Sequence, residues 1–283
     1  MSIDVAWVAS QFPGLAPLSL MAAGGQKWVF RADHARYGAC VLKLFKPGAA
    51  DRVDRELEAV IRLQLPNVPR IYESGTIPSP IGPLAWLSEQ YIEGTPLAEI
   101  LAVRPLSQAE TFSLAGGLLA IAVAAEDARV VHRDIKPANI VIGPEGAPWL
   151  LDFGIARLLD MESKTNTDAQ YGPHSPGYGA PEQFRNRKAE VDCRSDLFAI
   201  GVVIYESVTG SNPFLDDARD RLEILKRVES MQLPALDLAW DPGHEFSDFV
   251  ATLTQKRPYR RPRNCREAFD WLDALILRGR GAQ

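Results

Sequence analysis

Apolar and polar residues alternate from Leu18 to Phe45, with Gly24 and Gly25 in the middle. Alternation sends successive side chains to opposite faces of a strand, so it predicts strands over Trp28-Val29-Phe30 and over Ala39 to Phe45. Asp51 to Leu65 carries apolar residues at Val53, Leu57, Val60 and Ile61 with charges between them. That is a helical stripe, ended by Pro66. Ile71 to Ile77 and Leu84 to Ile92 return to strand character, joined by a turn that Pro78, Pro80, Gly82 and Pro83 mark. Ser107 to Asp127 reads as one long helix, with Ser107 and Glu110 spaced as a capping box. Short strands are expected over Ile140 to Ile142 and Trp149 to Leu151. Helices are expected over Ser195 to Thr209, Ala218 to Ser230, Ser247 to Thr254 and Cys265 to Leu277. Met161 to Ser175 is polar with few apolar residues, as in a mobile loop, and Gly279 to Gln283 reads as a frayed tail. A strand-rich first third therefore precedes a helix-rich remainder, with the break near Glu93-Gly94-Thr95-Pro96.

Composition narrows the classes of function. The 283 residues are 46% hydrophobic, enough for a substantial core. A net charge of -5 lacks the basic footprint of a nucleic-acid or membrane-surface protein, so neither partner is expected. The longest apolar stretch, Leu114 to Ala125, is shorter than the roughly 20 residues of a membrane span. Cys40, Cys193 and Cys265 lie far apart along the chain with no C-x-x-C spacing, which argues against a disulfide framework or a zinc site. They are expected to be small core or half-buried residues in a reducing compartment. Met1 to Gly14 carries Asp4 and no basic cluster, unlike a signal peptide, and a cytoplasmic location is expected. The sequence does not fix an oligomeric state.

Three motifs carry the chemistry. His132-Arg133-Asp134-Ile135-Lys136-Pro137-Ala138-Asn139 has the form H-R-D-x-K-x-x-N. Asp152-Phe153-Gly154 follows a predicted strand, and Ala180-Pro181-Glu182 follows that. In this order they resemble the catalytic loop, the D-F-G and the A-P-E of protein kinases. From about Leu18 to Leu275 the chain resembles the eukaryotic-like serine/threonine protein kinases of the bacterial kind.

The resemblance implies an α+β, two-lobed protein kinase fold. A small antiparallel β-sheet N-lobe (18–93) would follow an N-terminal extension (1–17), and a larger, mainly helical C-lobe (94–278) would precede a short tail (279–283). It implies transfer of the γ-phosphate of ATP, with Mg2+, to a serine or threonine hydroxyl of a protein substrate. Such transfer asks a protein for charge neutralisation, a metal clamp and an aligned hydroxyl. Asp134 would orient that hydroxyl as base, and Lys136 would screen the transferring phosphate. Asn139 and Asp152 would hold magnesium through oxygen. Lys43 ends Cys40-Val41-Leu42-Lys43, which resembles V-A-I-K. It would pair with the phosphates and with a helix glutamate, Glu56 or Glu58. Arg55-Glu56 and the run to Pro66-Asn67-Val68 favour Glu56.

The glycine loop departs from the family pattern G-x-G-x-x-G-x-V. Anchored on Val29, only Gly24 falls on a family glycine, and Ala22 and Lys27 replace the others; Gly24-Gly25 would still provide the close backbone approach to the ATP phosphates that glycine allows. Lys27 would touch phosphate or face solvent. Glu89-Gln90-Tyr91-Ile92-Glu93-Gly94 resembles the strand linking the lobes. Backbone groups from Gln90 to Ile92 would pair with adenine, Glu89 would guard the back of the adenine pocket, and Val29, Val41 and Val141 would sandwich the base.

Further correspondences are structural. Asp196 would hold the catalytic-loop backbone, Arg261 would pair with Glu182, and His132 would stack with Phe153. His34, His174 and His244 show no partner pattern and are expected at the surface. Arg133 would meet a phosphate on the activation segment, with Thr165 or Thr167 as an autophosphorylation site, and Ser175 would help seat the substrate hydroxyl. Two other readings remain. One is a pseudokinase or ATP-gated binding module, suggested by the eroded glycine loop and Glu89. The other is a small-molecule kinase. The complete set Lys43, Glu56, Asp134, Asn139 and Asp152 speaks against the first, and the A-P-E segment with Asp196 against the second.

Overall fold

A computed structural model describes residues 3–24, 27–47, 65–153, 175–185 and 191–281. Gly25, Glu56, Glu58, Thr165, Thr167 and His174 lie outside the described residues, as does the expected helix over 51–65 apart from Leu65, which is not helical. The chain divides into two compact units, one of residues 1–64 and 69–92, the other of 65–68 and 93–283.

The first unit is built on β1 (Leu15–Ala23), β2 (Lys27–His34), β3 (Gly38–Phe45), β4 (Ile71–Ile77) and β5 (Leu84–Gln90). They form one antiparallel sheet in the order β1-β2-β3-β5-β4. The predicted alternation divides its two faces. Trp28, Phe30, Leu42 and Leu44 are fully buried on one. Val29 and Lys43 are paired across β2 and β3 on the other. The first face is covered by α1 (Val5–Gln11), which Asp4 caps by accepting from the Ala6 N–H at 2.9 Å. Val8 and Phe12 join the core with Trp28 and Phe30, and the Phe12 ring meets Trp86 edge-on at 5.0 Å. Residues 3–17 are therefore not an appendage ahead of the sheet. They form α1 and the start of β1 and close an apolar face that water would otherwise meet. His34 also corrects its sequence reading: its side chain is 14% exposed, lies 3.6 Å from Glu73 and packs on Tyr37.

The second unit contains α2 (Leu97–Leu101), α3 (Gln108–Asp127), the hairpin β7–β8 (Ile140–Ile142, Pro148–Leu150) with β6 (Thr95–Pro96) on its edge, and α4 (Pro181–Phe184). It continues with α5 (Cys193–Thr209), α6 (Arg221–Ser230), α7 (Glu245–Leu253) and α8 (Cys265–Gly281). The capping box at Ser107 and Glu110 forms as predicted. Arg104 grips the Glu110 carboxylate at 2.7 and 2.9 Å and, with Ser107, holds its pKa down at about 2. By length and composition α3 could cross a membrane. Here it runs through the core, with Leu114, Leu118, Leu119 and Ile121 buried against α5 and α8. Its Gly117 lets β8 approach: a Cβ there would stand 2.4 Å from Pro148. Gly94 is equally constrained, with φ +150° and a Cβ position 2.2 Å from the Ile142 carbonyl. The tail expected from Gly279 is instead the last turn of α8, whose Arg278 pairs with Glu245 at 3.1 Å. The short helices α1, α2 and α4 were not legible as periodic stretches.

Cys193 and Cys265, distant in sequence, meet in space. The Cys193 thiol donates to Glu126 at 3.1 Å, and the Cys265 N–H donates to the same carboxylate at 2.8 Å. Glu126, ending α3, thereby ties together the first turns of α5 and α8. A hydrogen bond with Cys193, together with burial, pushes the Cys265 thiol above its ordinary pKa.

Lys256 is a second unusual group. Its Nζ lies 4.4 Å from the Phe214 ring and 5.1 Å from the Phe198 ring, with no hydrogen-bond partner among the described residues. Burial, reinforced by Arg261, lowers its pKa from 10.5 to about 7. Between those values the unfolded chain holds a proton that the folded chain has shed, so stability rises as pH increases across that window. Urea unfolding at pH 7 and pH 9 should show this rise in the wild type, and Lys256→Met should remove that component.

Candidate active site

The catalytic-loop motif closes around one carboxylate. Asp134 Oδ2 accepts from Lys136 Nζ at 2.9 Å and from Asn139 Nδ2 at 3.0 Å. Its Oδ1 accepts from the Ser175 hydroxyl at 2.6 Å, and Lys136 Nζ also donates to that hydroxyl. Four side chains from the H-R-D-x-K-x-x-N loop and from Ser175-Pro176-Gly177-Tyr178 are thus assembled by direct bonds. Asp134 and Lys136 remain 22% and 25% exposed, so the cluster is open to a ligand. Pro137–Asn139 is a 3-10 turn, begun by a residue that needs no N–H and closed by the Asn139 N–H to the Lys136 carbonyl at 2.9 Å.

The loop backbone is held from below. Asp196, in the first turn of α5, accepts from the His132 N–H at 2.7 Å and from the Arg133 N–H at 2.8 Å. Burial raises the pKa of Asp196, against the pull of His132 and those two N–H donors. Gln183 completes the support: its amide donates to the Arg133 carbonyl at 2.9 Å while its carbonyl accepts from the Ala180 N–H at 2.8 Å. Such bracing sustains Arg133 at φ +69°, a conformation that costs a side-chain-bearing residue about 1–3 kcal/mol. Asp152 likewise sits at φ +61°.

His132 fixes the neighbouring D-F-G strand end. Its Nδ1 accepts from the Asp134 N–H at 3.2 Å, so Nε2 carries the proton and donates to the Leu151 carbonyl at 2.9 Å. The Phe153 ring meets His132 at 4.8 Å, edge-on. The Leu151 N–H donates to the Asn139 carbonyl at 2.8 Å. These bonds bring the residue preceding Asp152 beside Asn139. Among the described residues both side-chain bonds of Asn139 use Nδ2, which leaves its amide oxygen as a donor atom for a cation. That oxygen and the Asp152 carboxylate suit a hard cation such as magnesium.

The A-P-E glutamate is locked in the interior. Arg261 NH1 and NH2 reach the two Glu182 oxygens at 2.6 and 3.0 Å, with side chains 0% and 2% exposed. Ser195 adds a bond to Glu182 at 2.8 Å, while Arg261 also donates to the Arg194 carbonyl at 2.8 Å and to the Gln255 carbonyl at 2.7 Å. Four hydrogen bonds from the Arg261 guanidinium and the engagement of both Glu182 oxygens supply the compensation that a buried ion pair needs.

In the sheet unit, Lys43 Nζ donates to Glu89 Oε1. The sequence reading gave Lys43 a helix glutamate and gave Glu89 a place behind adenine; it did not join the two. Gly24 bonds the Lys27 carbonyl at 2.9 Å, and a Cβ on it would meet nothing nearer than 3.8 Å. Among the described residues, neighbouring atoms therefore do not demand glycine there. Val29 is half-buried, while Val41 and Val141 are buried in their own units. The N–H groups of Gln90 and Tyr91 are spent on Arg70 and Ala39, at 2.8 and 3.4 Å. That of Ile92 has no backbone partner among the described residues. Gln183 and Ser195 are the residues that motif reading missed. Gln183 directly follows A-P-E, and a capping position there is its one sequence signal.

Residues 28–270 match the family model described as the protein kinase domain. The chain belongs to that family. It is 34% identical over 240 residues to the probable serine/threonine-protein kinase PknB of Bifidobacterium longum, a match covering 78% of this chain and 34% of that protein. It is 33% identical over 230 residues to the serine/threonine-protein kinase PknD of Mycobacterium tuberculosis, covering 78% of this chain and 33% of that one. The chain thus spans about a third of the length of these curated relatives.

Proposed function

We propose that this chain is a serine/threonine protein kinase that transfers the γ-phosphate of ATP to hydroxyls of a protein substrate, with magnesium as the metal. The observation that carries the reading is the serine hydroxyl held between a carboxylate and an ammonium: Ser175 Oγ lies 2.6 Å from Asp134 and also bonds Lys136. A substrate hydroxyl brought to the same carboxylate would be oriented and would lose its proton to Asp134 late in the transfer. Lys136 would offset charge on the transferring group. Asn139 and Asp152 would hold the magnesium ion, which supplies charge neutralisation on phosphate oxygens. The Ile92 N–H is available to adenine, and Lys43 is the candidate phosphate-binding lysine of the sheet unit. Thr165 or Thr167 is proposed as an autophosphorylation site, with Arg133 as the receiver of the phosphate, and the location as cytoplasmic.

Incubation with [γ-32P]ATP, magnesium and a generic basic protein tests the reading. Label recovered as phosphoserine or phosphothreonine after acid hydrolysis supports it. Nucleotide binding without transfer would point to a pseudokinase, and label confined to hydroxylated small molecules would point to a small-molecule kinase. Mass spectrometry of the same sample reads Thr165 and Thr167.

A further inference from the structure

Glu126, Cys193 and Cys265 take no part in the proposed transfer, yet their carboxylate and thiol donor atoms all lie within 4.8 Å of one another. A tetrahedral zinc ion, with bonds of about 2.3 Å to sulfur and about 2.0–2.2 Å to oxygen, sets its donor atoms roughly 3.5–3.8 Å apart, so small side-chain shifts close such a shell. The Cys193 thiol already donates to Glu126 Oε1 at 3.1 Å. The other oxygen, Oε2, accepts from the Cys265 N–H at 2.8 Å, the kind of outer bond that orients a ligating carboxylate. The donors sit on three helices that share one core: Glu126 in the last turn of α3, Cys193 and Cys265 at the first positions of α5 and α8. Asp192 and Asn264 fix those two starts by accepting from the Arg194 and Glu267 N–H groups at 2.9 and 2.8 Å. Cys265 is fully buried, whereas Cys193 and Glu126 are half-buried and give the cluster an open side.

We propose that these three side chains bind one borderline-soft dication of the zinc type, at a site separate from the magnesium ligands Asn139 and Asp152. Two sulfur donors and one oxygen select such a metal over magnesium or calcium, which prefer all-oxygen shells. The ion replaces the two thiol protons, which pass to solvent, and takes both sulfurs as thiolates. Three protein ligands leave a fourth position for water. The lack of a C-x-x-C pair does not count against the site, because its ligands come from separate helices. Its role is structural. Asp196 lies three residues after Cys193, on the same face of α5, and accepts from the His132 and Arg133 N–H groups. A metal joining α3, α5 and α8 therefore steadies the base of the catalytic loop.

Cobalt(II) is the probe, because its thiolate complexes absorb light and those of zinc do not. The chain is treated with a chelator, desalted under a non-thiol reductant and titrated with cobalt(II), then with zinc(II). The wild type should develop a thiolate-to-cobalt charge-transfer band that saturates at about one metal per chain, and zinc should abolish the band by displacement. Cys193→Ser and Cys265→Ser should each weaken binding by at least about a hundredfold, and Glu126→Gln should weaken it as well. Zinc should raise the melting temperature of the wild type and leave that of the variants unchanged. Circular dichroism checks folding, and Glu126→Gln carries the comparison where a serine variant does not fold. Absence of the band in the reduced wild type would overturn the proposal. A band of the same strength and midpoint in a folded Cys193→Ser or Glu126→Gln chain would also overturn it. No readout here requires phosphate transfer, so failure of the kinase reading leaves the test intact.

Discussion

Asp134→Asn is expected to reduce phosphate transfer by about a hundredfold to ten-thousandfold, the range that general-base residues supply. The expectation follows from the number of bonds meeting on one carboxylate. Lys136, Asn139 and Ser175 all donate to Asp134, which bears the acceptor charge at the centre of the cluster. Asparagine has nearly the same shape but only one acceptor oxygen, and its amide would meet one of those donors with a donor of its own. It also cannot take the proton of a hydroxyl. The fold should survive, because Asp134 is partly exposed and the loop backbone is held by Asp196 rather than by Asp134 itself. Initial rates of wild type and variant at saturating ATP, with circular dichroism to confirm folding, check the prediction. Transfer within about threefold of wild type would remove Asp134 from the chemistry.

Arg261→Met is expected to cost about 3–5 kcal/mol of stability, measured by urea unfolding. The guanidinium is fully covered and forks onto both Glu182 oxygens at 2.6 and 3.0 Å. Methionine approximates the aliphatic stem and supplies none of the donors. Glu182 would remain buried with only Ser195 as a charge-stabilising donor among the bonds described above. The carbonyls of Arg194 and Gln255 would also lose a partner. A double variant that makes Glu182 apolar as well should recover part of the loss, because the orphaned charge goes with it. The effect reaches the active site, since Gln183, next to Glu182, bonds the Arg133 carbonyl.

Local signals in the sequence transferred well to the structure. The Ser107–Glu110 capping box marked the start of α3, and the local strand pattern between Leu18 and Phe45 marked β2 and β3, because both depend on neighbours within a few residues. Asp134, Lys136, Asn139 and Ser175 were legible because they belong to a motif, and the structure joins them by hydrogen bonds. Contacts set by register or by distant segments were not legible. The Lys43–Glu89 pair requires the offset of β3 against β5, which no local pattern carries. Cys193, Cys265 and Glu126 come from three helices, so their spacing along the chain conceals their proximity. The seven residues of α1 are too few for a clear stripe, and their role becomes visible only as the cover on the Trp28 and Phe30 face.

The most direct test is a crystal structure of the chain with magnesium, a non-hydrolysable ATP analogue and a serine-containing peptide. The expected result has the metal on Asn139 Oδ1 and an Asp152 carboxylate oxygen, at about 2.0–2.1 Å, and the peptide hydroxyl within hydrogen-bond reach of Asp134. A metal bound away from both residues, with no hydroxyl at Asp134, would contradict the assignment of this cluster to phosphoryl transfer.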